Sequence, residues 1–269
     1  MCELLALSSS RPARLSLSLR ALASHGDMDG VAPDGWGVAF YAGHDVALFR
    51  EPVPAAHSPL VQYLEDQGPR THLAISHIRH ATRGAVSLAN TQPFVRELGG
   101  RSHVFAHNGH LPGIWDNPGF SLGTDRPVGE TDSEQACCVL LGRMRGLWRD
   151  GMLPALSDRL ALLEGFAAEL CTMGPANFLY ADGDVLFAHG HRRIQRATGK
   201  VEPPGLWMLQ SFCADASTTA VQSESISVAT TGQSLVLVAS VPLTADAWQP
   251  LTSGQIVVVR EGRVITPVA

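Results

Sequence analysis

No stretch of this 269-residue chain reaches the roughly 18 consecutive apolar residues of a membrane-spanning helix. Nor does it open on a basic segment followed by an apolar stretch and a cleavage site, so no secretory signal is expected. Basic residues are not in excess. The formal net charge is −5, which argues against a nucleic-acid footprint, and no run of like charges marks an interaction tail. The five cysteines, Cys2, Cys137, Cys138, Cys171 and Cys213, are odd in number, irregularly spaced and without a CxxC. They read as those of a reduced, cytoplasmic protein rather than a disulfide framework or a zinc site. Internal repeats, low-complexity linkers and an HExxH are also missing.

The chain has length enough for one large domain with a sizeable core. Residues 2–8 read as a buried strand. Leu15, Leu19 and Leu22 recur at helical spacing, predicting a first helix that ends before Gly26. Strands are expected at Trp36–Tyr41 and Val46–Arg50, a helix around Ser58–Glu65, and strands at Leu73–Ile78 and His103–His107. Thr131 and Glu134 match a capping box, with Ala136, Val139, Leu140, Met144 and Leu147 on one face of the helix behind them. Ser157 is expected to cap another helix, with Leu160, Leu163, Ala167 and Leu170 on its buried stripe. Thereafter strands dominate: Asn177–Ala181 and Val185–His189 around an Asp182-Gly183 hairpin signal, then Leu206–Phe212, Ser225–Thr230, Leu235–Val241 and Ile256–Arg260. Arg192–Pro204 reads as a surface loop. Strands, then a helical pair, then strands again suggest antiparallel sheets covered by helices.

The chemistry starts at Cys2. If Met1 is removed, one residue carries a thiol nucleophile and a free α-amine, whose reference pKa of roughly 7.7–8.0 lets it accept a proton near neutral pH. That places a nucleophile beside its own base, as acyl transfer needs. Four further segments accompany it: Asp34-Gly35-Trp36-Gly37, the stretch Ser76–Gly84 with His77, Arg79, His80, Thr82 and Arg83, His107-Asn108-Gly109, and Gly129–Glu134. Attack of a thiolate on a carboxamide creates an oxyanion that needs fixed donors. Asn108 offers a side-chain N–H and Gly109 a backbone N–H, although Asn-Gly is equally a hairpin-turn pair. Arg79 suits a carboxylate, or a strand-end salt bridge. Asp132 suits an ammonium, or the first turn of a helix.

In this order behind an N-terminal cysteine, these segments, with Asn90-Thr91-Gln92-Pro93-Phe94, resemble the class II glutamine amidotransferases, a family of N-terminal-nucleophile hydrolases. The likeness is strong over the first half of the chain and looser over the terminal strands. It implies an α+β fold, a four-layer αββα sandwich of two antiparallel sheets between helical layers, spanning residues 2–269 as a single domain. It implies Cys2, Asn108 and Gly109 as catalytic residues, and Arg79, Thr82 and Asp132 as the residues that bind the amino-acid end of glutamine. No cofactor and no metal is implied. The synthase-linked members usually carry Trp where this chain has His80, and His where it has Arg83. The Asp34-Gly35-Trp36-Gly37 version is similar to the stand-alone branch, which includes γ-glutamyl hydrolases of ergothioneine synthesis. The fold is expected to use most of the chain, leaving no synthase domain to consume ammonia.

The expected activity is hydrolysis of the side-chain amide of glutamine or a γ-glutamyl amide through a γ-glutamyl thioester on Cys2. The alternatives are an ammonia-donating glutaminase subunit for a separate synthase partner and a catalytically silent ligand-binding relative. A metal hydrolase is disfavoured. His77 and His80, like His107 and His110, are three apart, and on a strand such residues point to opposite faces. His189-Gly190-His191 reads as surface, Cys137-Cys138 as core and flank. No nucleic-acid or membrane partner is expected.

Overall fold

The computed structural model describes residues 2–17, 34–81, 83–149, 151–213, 221–222, 226–229 and 232–265. It opens with strands β1 (Glu3–Leu17), β2 (Gly35–Ala42) and β3 (Asp45–Glu51), helix α1 (Pro59–Gln67), and strands β4 (Arg70–Arg79), β5 (Phe94–Leu98) and β6 (Arg101–Gly109). Helices α2 (Asp132–Met144) and α3 (Leu156–Met173) precede β7 (Ala176–Ala181), β8 (Leu186–His189), β9 (Arg193–Ile194) and β10 (Val201–Glu202). The last strands are β11 (Trp207–Cys213), β12 (Val221–Gln222), β13 (Ile226–Ala229), β14 (Gln233–Ala239), β15 (Gln249–Pro250), β16 (Ile256–Arg260) and β17 (Arg263–Val264).

Two sheets carry the fold. The first runs β15-β11-β14-β1-β4-β2-β3, with β13 on β1 and β12 on β13; the second runs β17-β16-β8-β7-β6-β5. All their pairings are antiparallel. The sheets face each other across a core in which Leu4, Ala6, Ala39 and Ile75 meet Ala106, Leu179, Ala188 and Val257. Helices α2 and α3 cover the outer face of the second sheet through Leu140, Met144, Leu163, Phe166 and Leu170. On the outer face of the first sheet, Val61 and Leu64 of α1 pack with Leu5, Leu7, Trp36 and Val38. The order of layers is therefore helix, sheet, sheet, helices, the α+β sandwich that was expected. It also explains the unbroken apolar run at Leu4–Leu7. Alternate side chains enter two different cores, so both faces of β1 must be apolar.

Several local expectations change. Leu15 belongs to β1, not to a helix: the strand runs on past a register shift between Ser8 and Ala13, where Pro12 lies, and Leu15 pairs with Val228. Pairing with β13 overrides the helical spacing. Leu19, Leu22 and Gly26 lie outside the described residues. Thr131 caps α2, its Oγ1 accepting from Glu134 N at 3.2 Å, but Glu134 does not complete the box. Its carboxylate accepts instead from Val128 N, Gly129 N and Arg96. Helix α2 is buried almost all round, Cys137 and Cys138 included. Helix α3 starts after Ala155 without a side-chain cap, so Ser157 is inside its first turn. The Asp182-Gly183 turn joins β7 to β8 as expected, and Gly183 takes the positive φ of 79° that such a turn favours in glycine. No helix among the described residues is long and apolar enough to cross a membrane.

Candidate active site

Cys2 directly precedes β1, a central strand hydrogen-bonded to β14 on one side and β4 on the other. The residues that follow it are locked. Glu3 is fully buried, its carboxylate held by Arg193 at 2.7 and 3.1 Å. Leu4 N donates to Ser240 Oγ at 2.9 Å, and Ser240 N donates back to Leu4 O at 3.0 Å. The thiol is thereby held over the end of β4. Its Sγ accepts from His80 N at 3.3 Å and lies 3.4 Å from His80 O. Burial pushes the thiol up, while the His80 N–H and the Arg79 cation work in the opposite direction.

Asn108 and Gly109 close β6, next to β7. They are strand residues, not a hairpin turn, and Gly109 has no positive φ. Glycine is required there for a different reason. A Cβ would come 1.9 Å from Pro175 O and 2.7 Å from His107 Nε2. Asn108 Nδ2 donates to Cys2 O at 2.6 Å and lies 3.5 Å from Ser240 Oγ. An amide nitrogen has two hydrogens, so one donor remains weakly used beside Cys2. His110 N donates to Pro175 O on β7's side at 3.1 Å. Successive strand N–H groups alternate in direction, so the Gly109 N–H faces away from β7.

Arg79 and Asp132 are both buried. Arg79 makes no salt bridge among the described residues. Its Nη2 holds the carbonyls of Arg83 and Gly84 at 3.1 and 3.2 Å, while Nη1 is buried without a partner. Asp132 is the first residue of α2. It accepts from Leu111 N and Ser133 N at 2.8 Å each, with His110 Nδ1 3.6 Å away. Part of its role is thus local, as the helix-start reading anticipated. Thr82 lies outside the described residues. Trp36, from the Asp34–Gly37 segment, is a core residue on β2, and Asp34 Oδ2 accepts from Ala81 N at 2.6 Å, pinning the backbone just beyond β4.

A cleft of about 470 Å³ opens from Cys2, Asn108 and Gly109, with His80 and His110 on the near side. Neither Arg79 nor Asp132 lines it. Its other walls are Pro175, Asn177, Arg192, Arg193, Ile194 and Val201. The segment expected to be a surface loop therefore builds a wall of the site. Residues 193–194 and 201–202 pair as a small hairpin, and Arg193 is buried because it must neutralise Glu3. Asn177, Ser240, Glu3 and Arg193 carried no motif in the sequence. They act at sequence separations such as the 190 residues from Glu3 to Arg193, and only an unpaired buried-looking Glu in an apolar run hinted at a distant cation. His189 is likewise buried rather than at the surface, with Nε2 3.4 Å from Cys171 Sγ. Burial holds its imidazole down at about 4. Among the described residues, no group of three or more His, Cys, Asp or Glu side chains is placed to hold a metal ion.

The family model for “Glutamine amidotransferases class-II” matches residues 1–268. The chain is 34% identical over 258 residues to “Putative glutamine amidotransferase YafJ” of Escherichia coli (strain K12), covering 95% of this chain and 96% of that one. It is 31% identical over 271 residues to “Uncharacterized protein MJ1515” of Methanocaldococcus jannaschii, covering 98% and 71%. Among solved structures, a glutamine amidotransferase so assigned by prediction, from Pseudomonas aeruginosa PA01, superposes with a TM-score of 0.70 at 31% identity, covering 98% of this chain and all of that one. The glutamine phosphoribosylpyrophosphate amidotransferase of B. subtilis gives 0.57 at 15% identity over 98% and 48%, a likeness of fold alone.

Proposed function

This chain belongs to the class II glutamine amidotransferases, and we propose that it hydrolyses the side-chain amide of glutamine or of a γ-glutamyl amide through a thioester on Cys2. The observation that carries the proposal is the meeting of Cys2 with Asn108 at the head of an open cleft, where the amide donor of one lies 2.6 Å from the carbonyl of the other. With Met1 removed, the α-amine of Cys2 is free to take the thiol proton. Sγ then bonds to the amide carbon. Asn108 Nδ2 and Gly109 N hold the oxyanion, which develops charge where fixed donors are worth most. The C–N bond breaks as the amine passes its proton to the leaving nitrogen. Water adds to the thioester, glutamate departs and the thiol is restored.

The amino-acid end of the substrate is assigned to Arg79, whose free Nη1 suits the α-carboxylate, and to Asp132, whose carboxylate suits the α-ammonium. Thr82 is assigned to the carboxylate as well. Between glutamine and a larger amide, the size of the cleft favours the larger. About 470 Å³ of space opens from Cys2, room beyond the amide nitrogen that ammonia does not need. The test is a panel of glutamine and γ-glutamyl compounds with Met1-processed protein, run beside Cys2→Ala and Cys2→Ser. A glutamine-derived diazo-ketone should label Cys2 alone. Label on Cys137, Cys138, Cys171 or Cys213, or full activity in Cys2→Ala, overturns the proposal.

A further inference from the structure

Asp132 ends a chain of buried polar groups, and the proposed hydrolysis draws only on that end. His107 Nδ1 lies 2.9 Å from Ser133 Oγ, and Ser133 Oγ lies 3.4 Å from Asp132 Oδ1. All three residues are buried, His107 almost completely. His107 belongs to β6 and directly precedes Asn108 and Gly109, while Asp132 and Ser133 open α2. The chain therefore joins the strand of the oxyanion residues to the residue assigned to the substrate ammonium. A hydroxyl has one proton. Ser133 can give a full hydrogen bond to His107 or to Asp132, not to both.

The other ring nitrogen decides which. His107 Nε2 is buried and has no hydrogen-bond partner of good geometry. A Cβ on Gly109 would come 2.7 Å from it and 1.9 Å from Pro175 O, so the nitrogen and the carbonyl oxygen are neighbours. The carbonyl favours a proton on the ring, whereas burial opposes a charged imidazole. A bare lone pair at Nε2 would face the lone pairs of the carbonyl, the less stable arrangement in a dry site. The single proton of the neutral ring is thereby assigned to Nε2, and Nδ1 is an acceptor. The distances agree. The 2.9 Å contact to His107 has the length of an ordinary hydrogen bond, and the 3.4 Å contact to Asp132 does not.

We infer that His107 is a positioning residue for the substrate ammonium: by drawing the Ser133 hydroxyl proton to Nδ1, it keeps Asp132 Oδ1 open for the amino end of the glutamyl group. The inference rests on the assignment of Asp132 within the proposed hydrolysis. Each oxygen of Asp132 already accepts one backbone N–H at 2.8 Å, from Leu111 at Oδ2 and from Ser133 at Oδ1. A carboxylate oxygen has two lone pairs, so a hydroxyl turned toward Oδ1 would fill the one the ammonium needs. At Oδ2, His110 Nδ1 stands 3.6 Å away, outside hydrogen-bond reach. Without an acceptor on His107, the buried hydroxyl would turn to Asp132 to satisfy its own proton and would compete with the ammonium.

The test compares glutamine with glutaramate, which lacks only the α-ammonium. Binding to Met1-processed Cys2→Ala protein, where chemistry is stopped, is measured by calorimetry. Glutamine should bind at least about tenfold tighter. Adding His107→Gln, which offers a donor near the Nε2 position but no acceptor at Nδ1, should bring the ratio below about threefold. Adding His107→Asn, whose side-chain oxygen can stand where Nδ1 does, should keep it above about fivefold. Adding Ser133→Ala to His107→Gln removes the competing hydroxyl and should return the ratio to within about twofold of the parent. A purely structural role would weaken both ligands together, and a second substitution would not reverse it. A ratio that survives His107→Gln, or that Ser133→Ala fails to restore, overturns the inference. If His107→Gln does not fold, Ser133→Ala alone decides: the ratio should stay within about twofold of the parent, and a fall below about threefold would show that the hydroxyl supports Asp132 instead. A parent that does not distinguish the ligands refutes the assignment of Asp132, and the inference with it. Turnover by the Cys2 enzyme separates the two readings. Hydrolysis with a ratio indifferent to His107 keeps the reaction and refutes the positioning role. A His107-dependent ratio without hydrolysis of any γ-glutamyl amide keeps the positioning role and refutes the reaction.

Discussion

Gly109→Ala puts the oxyanion geometry to a quantitative test. The added Cβ would sit 1.9 Å from Pro175 O. Even a tight contact of about 3 Å requires the two backbones to part by more than an ångström, because neither atom belongs to a flexible side chain. The same carbonyl accepts from His110 N at 3.1 Å, so the end of β6 must move together with Asn108 and the N–H of residue 109. Overpacking of this kind costs about 1–3 kcal/mol of stability. A displacement of about 1 Å at a reacting centre costs about 10²-fold in rate, or about 2.7 kcal/mol of the barrier. The expected result is a variant that still unfolds cooperatively in urea, with Cm lowered moderately, and whose kcat/KM for the best γ-glutamyl substrate falls about a hundredfold with a smaller change in KM. Labelling of Cys2 by the diazo-ketone should slow in parallel. A folded Gly109→Ala protein with kcat/KM within threefold of the parent would refute the assignment of Gly109 to the oxyanion.

Arg79→Lys and Asp132→Asn should each lower kcat/KM by more than tenfold, about 1.4 kcal/mol or more of transition-state binding; a loss of folded protein with normal kinetics in what remains would assign both to structure. Arg193→Met leaves the buried Glu3 without its cation and should cost about 3–5 kcal/mol in urea unfolding, most of it recovered in Glu3→Gln/Arg193→Met; a single variant within 1 kcal/mol of the parent contradicts this. Burial depresses His77 to about 3 and His103 and His189 to about 4, while the unfolded chain titrates them near 6.5. Between those values the unfolded state binds more protons, so unfolding free energy should fall as pH drops from about 6.5 to 5, by up to about 1.4 kcal/mol per unit for each such histidine. Stability that is flat across that window would show that these imidazoles are not held neutral.

Much of the architecture was legible because it is written in short-range pattern. Strand alternation and apolar runs located β2, β4, β6, β7, β14 and β16, and Thr131 does cap its helix. Where the reading failed, a distant partner outweighed a local signal. Leu15 has helical companions in sequence, but β13 pairs with it and holds it extended. Glu134 has the spacing of a capping box, but Arg96 from β5 and two loop N–H groups compete for its carboxylate. Asn108-Gly109 has the composition of a turn, yet β7 runs alongside it and the pair stays in the strand.

The site divides in the same way. Residue chemistry made Cys2, Arg79, Asn108, Gly109 and Asp132 candidates, each with a structural alternative, and it was their order along the chain, through the resemblance to the class II glutamine amidotransferases, that singled them out. What surrounds them was settled only by the tertiary structure. Glu3 finds its cation 190 residues away in Arg193. Asn177 fastens Asn108 to Arg192, and a segment that reads as a polar loop becomes the wall of the cleft. A buried charge can persist only where packing delivers its counter-charge, and an unpaired one can remain only where the fold leaves room for a ligand. Both conditions concern which distant segments meet, and local sequence carries no record of that.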